Sequence, residues 1–443
     1  MNYKVGMVSL GCPKNQMDAE LMLARIKNAG FELIADSGLA DVVVINTCGF
    51  IEDAKKESIE QIIEFGKLKE EGRIKRIIVT GCMAERYRDE IVKELPECDA
   101  VLGLGANGDI VEALKSVIDG ERVVRFPEKA CWSLDGERLQ TTPEYFAYIR
   151  VGDGCDNCCT YCAIPEIRGR LRSRRMETIV DEAHKLVESG VKELVLVAQD
   201  TTLYGVDLYG NHALPELLER LCEIDGLRWI RLLYCYPEHI IDRLLEVIAT
   251  RDKMVKYMDI PIQHVSGSIL SAMNRQGNRK MLAEKTRKIR KAVPGIILRT
   301  TVMTGFPGEG QAEFDELCDF IKEMEFERLG CFAFSPEEGT AAAVMPNQVD
   351  DREKQRRRDI VMQEQSRISD EFNRSQIGKT FEVLVESYDR YAGCWFGRSA
   401  ADAPDIDGKV FFSCPSGRVK PGDMVKVNIT DSMDWDLIGE CCN

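Results

Sequence analysis

Three cysteines, Cys155, Cys159 and Cys162, stand in the string Gly154-Cys155-Asp156-Asn157-Cys158-Cys159-Thr160-Tyr161-Cys162. Their C-x3-C-x2-C spacing offers three thiolates and no fourth. Structural zinc sites and electron-transfer clusters normally close with four protein ligands. A cubane on three thiolates leaves one iron open, and an open metal position is where a substrate or cofactor binds. Zinc is the plainer alternative. The chain has four histidines, His184, His212, His239 and His264, none within twenty residues of the triplet, so a closed local zinc site is short of ligands. A second set is Cys12, Cys48 and Cys82, each in a Gly-Cys or Cys-Gly pair (Gly11-Cys12, Cys48-Gly49, Gly81-Cys82). Three buried structural thiols would be the ordinary reading, since free Cys is often buried. The recurrence beside glycine, which lets backbone approach closely, favours a second three-thiolate cluster.

The second set depends on the elements around it. Residues 3–118 read as alternating strands and helices: an apolar run Val5–Leu10, an amphipathic stretch Asp18–Ala29 stopped by Gly30, a β-branched run Asp41–Ile45, a helix from Ala54 to about Glu70, and a strand Arg76–Thr80. Continuous apolar runs separated by helices predict a parallel sheet covered on both faces. Cys12, Cys48 and Cys82 each follow such a strand, and strand C-terminal ends share the edge where open α/β sheets bind ligands. Gly103-Leu104-Gly105-Ala106-Asn107-Gly108 fits G-x-G-x-x-G. A dinucleotide fingerprint opens the first βαβ unit, whereas this one closes the domain, so an ordinary turn is the better account.

Residues 119–140 are charged and irregular and read as a linker. From Thr141 a second α/β series begins, with strand-like runs at Ala147–Val151, Glu193–Ala198, Trp229–Leu233, Tyr257–Ile260, Ile296–Met303 and Leu329–Phe334. Six β-α repeats predict a partial or open TIM-type (β/α)6 barrel over 141–372, with its site at the C-terminal ends of the strands. A helix follows from Asp350 to about Gln376; its Arg356-Arg357-Arg358 reads as a solvated face. Residues 375–441 read as a small antiparallel β-barrel with strands at Thr380–Val385, Lys409–Phe412 and Met424–Ile429, and turns at Gly408, Pro415-Ser416-Gly417 and Pro421-Gly422-Asp423.

Composition sets bounds on these readings. With 443 residues, 44% hydrophobic and 30% charged, the chain fits a protein of two or three globular domains. Met1–Val8 lacks a signal-peptide profile, and no apolar run reaches membrane-spanning length. Seventeen cysteines without export signals predict a cytoplasmic protein with metal-bound or free thiols. The net charge of −15 argues only weakly against nucleic acid, because an acidic chain can carry a local basic groove. Residues 375–443 hold seven Lys and Arg against eleven Asp and Glu. That balance suits a basic protein partner better than RNA.

The C-x3-C-x2-C string resembles the signature of the radical S-adenosylmethionine (SAM) enzymes. The three parts in this order resemble, over essentially the whole chain, the methylthiotransferases, which join an N-terminal cluster domain, a radical-SAM core and a C-terminal TRAM barrel. Gly11-Cys12-Pro13-Lys14-Asn15 with Asp18 and Glu20 is similar to the branch that modifies a ribosomal protein; the transfer-RNA branch tends to have Gln-Met at Pro13-Lys14. Arg231-Leu232-Leu233-Tyr234 with Tyr236-Pro237, and Asp402-Ala403-Pro404-Asp405-Ile406-Asp407-Gly408, are similar to the same branch. The resemblance implies methylthiolation of the β-carbon of an aspartate in ribosomal protein S-twelve, free or in the small subunit. It implies two 4Fe-4S clusters, one on Cys155, Cys159 and Cys162 that binds SAM and one on Cys12, Cys48 and Cys82 that supplies sulfur, together with a low-potential electron donor and no membrane.

Other residues carry open alternatives. Tyr161 could contact SAM or shield the cluster; Gln199 and Asp200 could contact SAM or substrate, or hydrogen-bond within the barrel mouth. Gly305 and Gly308 could line the adenosine pocket or form a turn. Cys158 makes a competing C-x2-C with Cys155, but its use would break the three-ligand spacing, so it reads as a non-ligand. Two further functions stay open: a tRNA adenosine methylthiotransferase with the same chemistry, and a non-catalytic iron–sulfur electron carrier or ribosome-binding factor.

Overall fold

Val42-Val43-Val44-Ile45 is apolar on both sides of the pleat, which suits a strand sandwiched between helices. The structure, a computed structural model describing residues 3–414 and 417–442, contains that sandwich. Strands β1 (Lys4–Ser9), β2 (Glu32–Leu33), β3 (Val42–Thr47), β4 (Arg76–Gly81), β5 (Ala100–Leu102) and β6 (Val123–Arg125) form one parallel sheet in the order β2-β1-β3-β4-β5-β6. Helices α1 (Pro13–Asn28), α2 (Glu52–Glu70), α3 (Cys82–Glu94) and α4 (Ile110–Ile118) cover it. Alternation along β3 sends Val42 and Val44 to a core with Met22 and Ile26, and Val43 and Ile45 to another with Ile62 and Phe65. The strand β6 lies in the stretch that reads as a linker from sequence. Three residues among charged neighbours carry too short a periodic signal to register.

The second sheet holds β7 (Phe146–Arg150) and, after a small hairpin of β8 (Gly152–Asp153) and β9 (Arg172–Ser173), strands β10 (Glu193–Val197), β11 (Trp229–Leu232), β12 (Met254–Asp259), β13 (Ile297–Thr304) and β14 (Arg328–Ala333). Its order, β14-β13-β12-β11-β10-β7, is all parallel and open: the partial (β/α)6 barrel expected. Ala147, Ile149, Leu194 and Leu196 face the helices, while Phe146, Tyr148, Val195, Val197, Trp229 and Tyr257 fill the concave interior. Met17 of α1 and Leu384 and Ala403 of the C-terminal domain pack into that interior.

The helix Asp351–Arg374 leads to a closed barrel of β15 (Thr380–Asp389), β16 (Cys394–Ser399), β17 (Val410–Ser413), β18 (Met424–Ser432) and β19 (Leu437–Cys441). Its pairs are antiparallel except β17–β19. Two of its strands, β16 and β19, escaped the sequence reading: each is short and interrupted by a glycine, Gly397 and Gly439. Part of the turn expected at Pro415-Ser416-Gly417 lies outside the described residues. Arg357, expected on a solvated face, is instead buried and donates to the Glu309 backbone oxygen at 2.8 Å and carboxylate at 2.7 Å. Among the described residues no helix is long and apolar enough to cross a membrane.

Candidate active site

The strand order of the first sheet reverses between β1 and β3, and ligands of open α/β sheets bind at such a switch point. Cys12 follows β1 at the N-terminus of α1, Cys48 follows β3, and Cys82 opens α3 directly after β4. Asn15 ties these loops together: its side-chain amide donates to the carbonyls of Leu10 at 2.8 Å, Asn46 at 3.3 Å and Thr47 at 3.2 Å. Ser58 of α2 accepts from the Cys48 N–H and donates to the Cys48 carbonyl, both at 3.0 Å. Gly81 stands at φ +97°, where a side chain would collide with the Thr47 backbone. Glycine is what allows β4 to turn this tightly beside β3.

The second triad occupies the loop after β8 at the mouth of the open barrel. Asn157 donates to Asp200 at 2.9 Å, Thr160 N–H to the Met273 carbonyl at 3.1 Å, and Asn274 to the Cys158 carbonyl at 3.0 Å. Cys155 and Cys159 are buried and Cys162 is half-buried; Cys158 is exposed and sits at φ +50°. Tyr236 and Tyr234 follow β11, and Tyr234 (φ +61°) and Gln263 (φ +66°) also adopt left-handed backbone. Such conformations in non-glycine residues cluster at functional sites. Among the described residues, no three His, Cys, Asp or Glu side chains converge as a single metal ion would require.

A short helix joins the triads. α5 (Ile164–Arg168) starts two residues after Cys162, and its Ile167, with Ala163, packs on Cys82. Arg168 is 2% exposed. It donates to the Cys82 sulfur at 3.3 Å and to Asp18 at 3.0 Å, and its other terminal nitrogen meets Asp153 at 3.2 Å. Asp153 accepts in turn from Gln199 at 3.0 Å. Burial opposes charge on Asp153, but Arg168 and Arg150 outweigh it and hold the carboxyl down at about 2. Asp18 also accepts from Arg150 at 2.7 Å and Trp132 at 3.0 Å.

Burial pushes the thiols of Cys82 and Cys162 up to about 12 and of Cys155 up to about 11, and raises Cys48 as well. Burial acts the same way on Cys12, yet the charges of Lys14 and Arg168 and two backbone N–H groups bring it below its ordinary value. Within each triad the thiols lie in electrostatic range of one another. Metal ligation displaces protons from such thiols, and three of them with no fourth is the donor set an open-iron cubane requires.

The other residues singled out from sequence lie at the same mouth in different roles. Asp200 uses both carboxylate oxygens within the protein: one caps the turn at Thr202, the other meets Asn157 and His239 (2.8 Å). Gln199 keeps a buried carbonyl oxygen without a partner. Tyr161 packs against Phe306, Phe334 and Met273. Gly305 presses its free face on Lys354, whereas Gly308 faces open space. Sequence reasoning missed Arg168, Asp153 and Arg275. Arg275 pairs with Glu238 at 3.2 Å, lies 4.3 Å from the Tyr236 ring centroid, and keeps one buried terminal nitrogen unpartnered. The G-x-G-x-x-G loop is filled from within the protein: Glu85 accepts from the Leu104 N–H at 2.9 Å, and the Pro127 and Glu128 carbonyls close on Gly105. A phosphate has no place there.

An open parallel barrel with this cysteine loop at its mouth defines a radical-SAM enzyme. Residues 149–321 match the Radical SAM superfamily, 377–442 the TRAM domain, and 4–103 the uncharacterized protein family UPF0004. The chain is 47% identical to a protein named ribosomal protein uS12 methylthiotransferase RimO from Thermoanaerobacter sp. (strain X514), over 98% of this chain and 99% of that one. It is equally 47% identical to the protein so named from Clostridioides difficile (strain 630), over 99% and 98%. The chain belongs to this RimO family of radical-SAM methylthiotransferases. In fold it is similar to the radical-SAM methyltransferase TsrM from Kitasatospora setae, at a TM-score of 0.58 and 15% identity over 78% of this chain and 77% of that one.

Proposed function

We propose that the protein methylthiolates the β-carbon of an aspartate in ribosomal protein S-twelve. The observation that carries this reading is the contact of Arg168 with the Cys82 sulfur from a helix that begins beside Cys162. That contact supports a reading in which the two thiol triads serve one mouth. Cys155, Cys159 and Cys162 would hold the cluster that binds SAM, and Cys12, Cys48 and Cys82 the auxiliary one. When bound, the clusters and SAM supply an electron from a low-potential donor, a carbon radical able to take hydrogen from an unactivated carbon, and the sulfur and methyl group.

The chain's own residues position and insulate that chemistry. Asn157 and Asp200 fix the cysteine loop on the end of β10. The unpartnered Gln199 oxygen and Arg275 nitrogen are an acceptor and a cation, suited to the ammonium and carboxylate of SAM. Tyr148, Val197 and Leu233 pack the interior beneath the mouth and exclude water. Arg168 balances negative charge on the auxiliary triad from within a buried network. Substrate identity is supported by the names of the relatives at 47% identity.

Charge does not add to that support. The acidic residues of the C-terminal domain are largely engaged: Asp402 pairs with Arg328 at 2.8 Å, Asp407 accepts from Tyr257 at 2.6 Å, and Glu382 pairs with Arg228 at 2.7 Å. Its exposed surface carries Arg390, Lys409, Arg418, Lys420 and Lys426 beside Asp405, Asp431, Asp434 and Glu440. Cations and acids stand side by side on that surface, so net charge alone does not mark where a partner would sit. Mass spectrometry of ribosomal protein and tRNA from a methylthiotransferase-deficient host expressing this chain decides the substrate. A methylthio group on the S-twelve aspartate is expected; its appearance on tRNA alone would refute the reading.

A further inference from the structure

Lys14 is 7% exposed, and its ammonium has three protons to donate. It reaches the Ala198 carbonyl at 3.5 Å, the outer limit of a hydrogen bond, and lies 3.5 Å from the centroid of the Tyr234 ring. Among the described residues no carboxylate pairs with it. The neighbouring buried cations are paired: Arg168 with Asp18 and Asp153, Arg150 with Asp18, Arg275 with Glu238. The negative charge it does feel within the chain is that of the Cys12 thiolate, a ligand the auxiliary cluster would take up. A buried ammonium with no carboxylate beside it is costly, and this one suits an anion from outside the chain.

Its position says which anion. Ala198 follows β10 and Tyr234 follows β11, so the ammonium stands at the barrel mouth, two residues from Cys12. Tyr234 is held in left-handed backbone at φ +61° by its N–H to Asp259 at 3.0 Å and by its carbonyl, which accepts from the Thr201 N–H at 3.0 Å. That conformation is rare for a bulky residue, and here it places the ring against the Lys14 ammonium. Both terminal nitrogens of Arg168 are engaged, and the free nitrogen of Arg275 belongs to the Tyr236 side of the mouth.

We propose that Lys14 determines substrate specificity by binding the side-chain carboxylate of the target aspartate. The inference rests on the aspartate reading above. A carboxylate is bonded directly to the β-carbon, so an ion pair with it holds the reacting carbon at the mouth beside the N-terminal triad. An asparagine at the same place offers no charge and leaves the ammonium unpaired.

The test measures binding of reconstituted holoenzyme to purified ribosomal protein S-twelve carrying its target Asp or an Asn there, by fluorescence anisotropy. The wild type is expected to prefer Asp by about ten- to a hundredfold, the range for a charge-assisted hydrogen bond. Lys14→Arg keeps a preference, and Lys14→Met loses it. Lys14→Gln gives the same comparison where Lys14→Met does not fold. A neutral variant that retains the wild-type preference overturns the proposal; if its auxiliary-cluster electron paramagnetic resonance signal also shifts, the ammonium serves the cluster instead. Wild-type protein that binds neither form removes the S-twelve reading itself, and the proposal with it.

Discussion

Arg168 is the residue on which the two halves of the site meet. It is buried among Asp18, Asp153 and the Cys82 sulfur. Replacing it by Met leaves Asp18 with Arg150 and Trp132 and Asp153 with Gln199 but removes the guanidinium that joins them, and breaking a buried pair of this kind costs about 3–5 kcal/mol. The onset of thermal unfolding of Arg168→Met, followed at a fixed scan rate, is expected to fall well below that of the wild type; an unchanged onset would mean that the network is not holding the halves together. The six cysteines were legible because spacing and adjacent glycines are local signals. Arg168 was not: its partners Asn15, Asp18 and Cys82 lie 86 to 153 residues away in sequence, and nothing in Ile167-Arg168-Gly169 marks it. Asp18 and Glu20, read as part of a motif, prove to anchor α1, Asp18 through Arg150 and Arg168 and Glu20 through Arg138 at 2.9 Å.

At the scale of elements, position was set by where strands end. The parallel order was readable from apolar runs, and it delivers three thiols to one edge because β1, β3 and β4 are neighbours. The turn from β4 into α3 has no tolerance for a side chain. Gly81→Ala forces a Cβ into the Thr47 backbone and to 2.6 Å from the Asn46 side chain, at a conformation already unfavourable for alanine. Reconstituted Gly81→Ala should lose auxiliary iron while keeping SAM cleavage, read as 5′-deoxyadenosine; full iron content would show that the turn adapts. The glycine-rich loop teaches the converse. Its pattern matched a nucleotide fingerprint, but the glycines make room for Glu85, Pro127 and Glu128, contacts that no local reading could anticipate.

Across the whole molecule, the C-terminal barrel is a structural part of the catalytic core as much as an appendage. Ala403 enters the core's interior, and Glu193 at the start of β10 is buried between Arg231 at 2.8 Å and Arg398 of β16 at 2.7 Å. Burial alone would raise the Glu193 carboxyl, but Arg398 and Arg231 hold it below its ordinary 4.5. A carboxyl depressed on folding stabilises above its unfolded value, and that stability is lost as pH falls through the folded value. Resistance to proteolysis at the junction of the two domains should therefore decline on acidification below about pH 4.5, and Glu193→Gln should be weakened already at neutral pH. A junction indifferent to both would contradict this assignment. Domain order was legible from sequence, but the placement of the domain's charges was not: Asp402 and Glu386 pair inward with Arg328 and Arg398, while Asp405, Asp431 and Glu440 stay on the surface. The central claim is a division of labour between two clusters, and one comparison tests it: iron content, 5′-deoxyadenosine and methylthio transfer in two triple Cys→Ala variants. Replacing Cys12, Cys48 and Cys82 is expected to remove about half the iron and all transfer while SAM is still cleaved, and replacing Cys155, Cys159 and Cys162 to abolish cleavage as well. An N-terminal variant that keeps all its iron, or still transfers, would contradict the account.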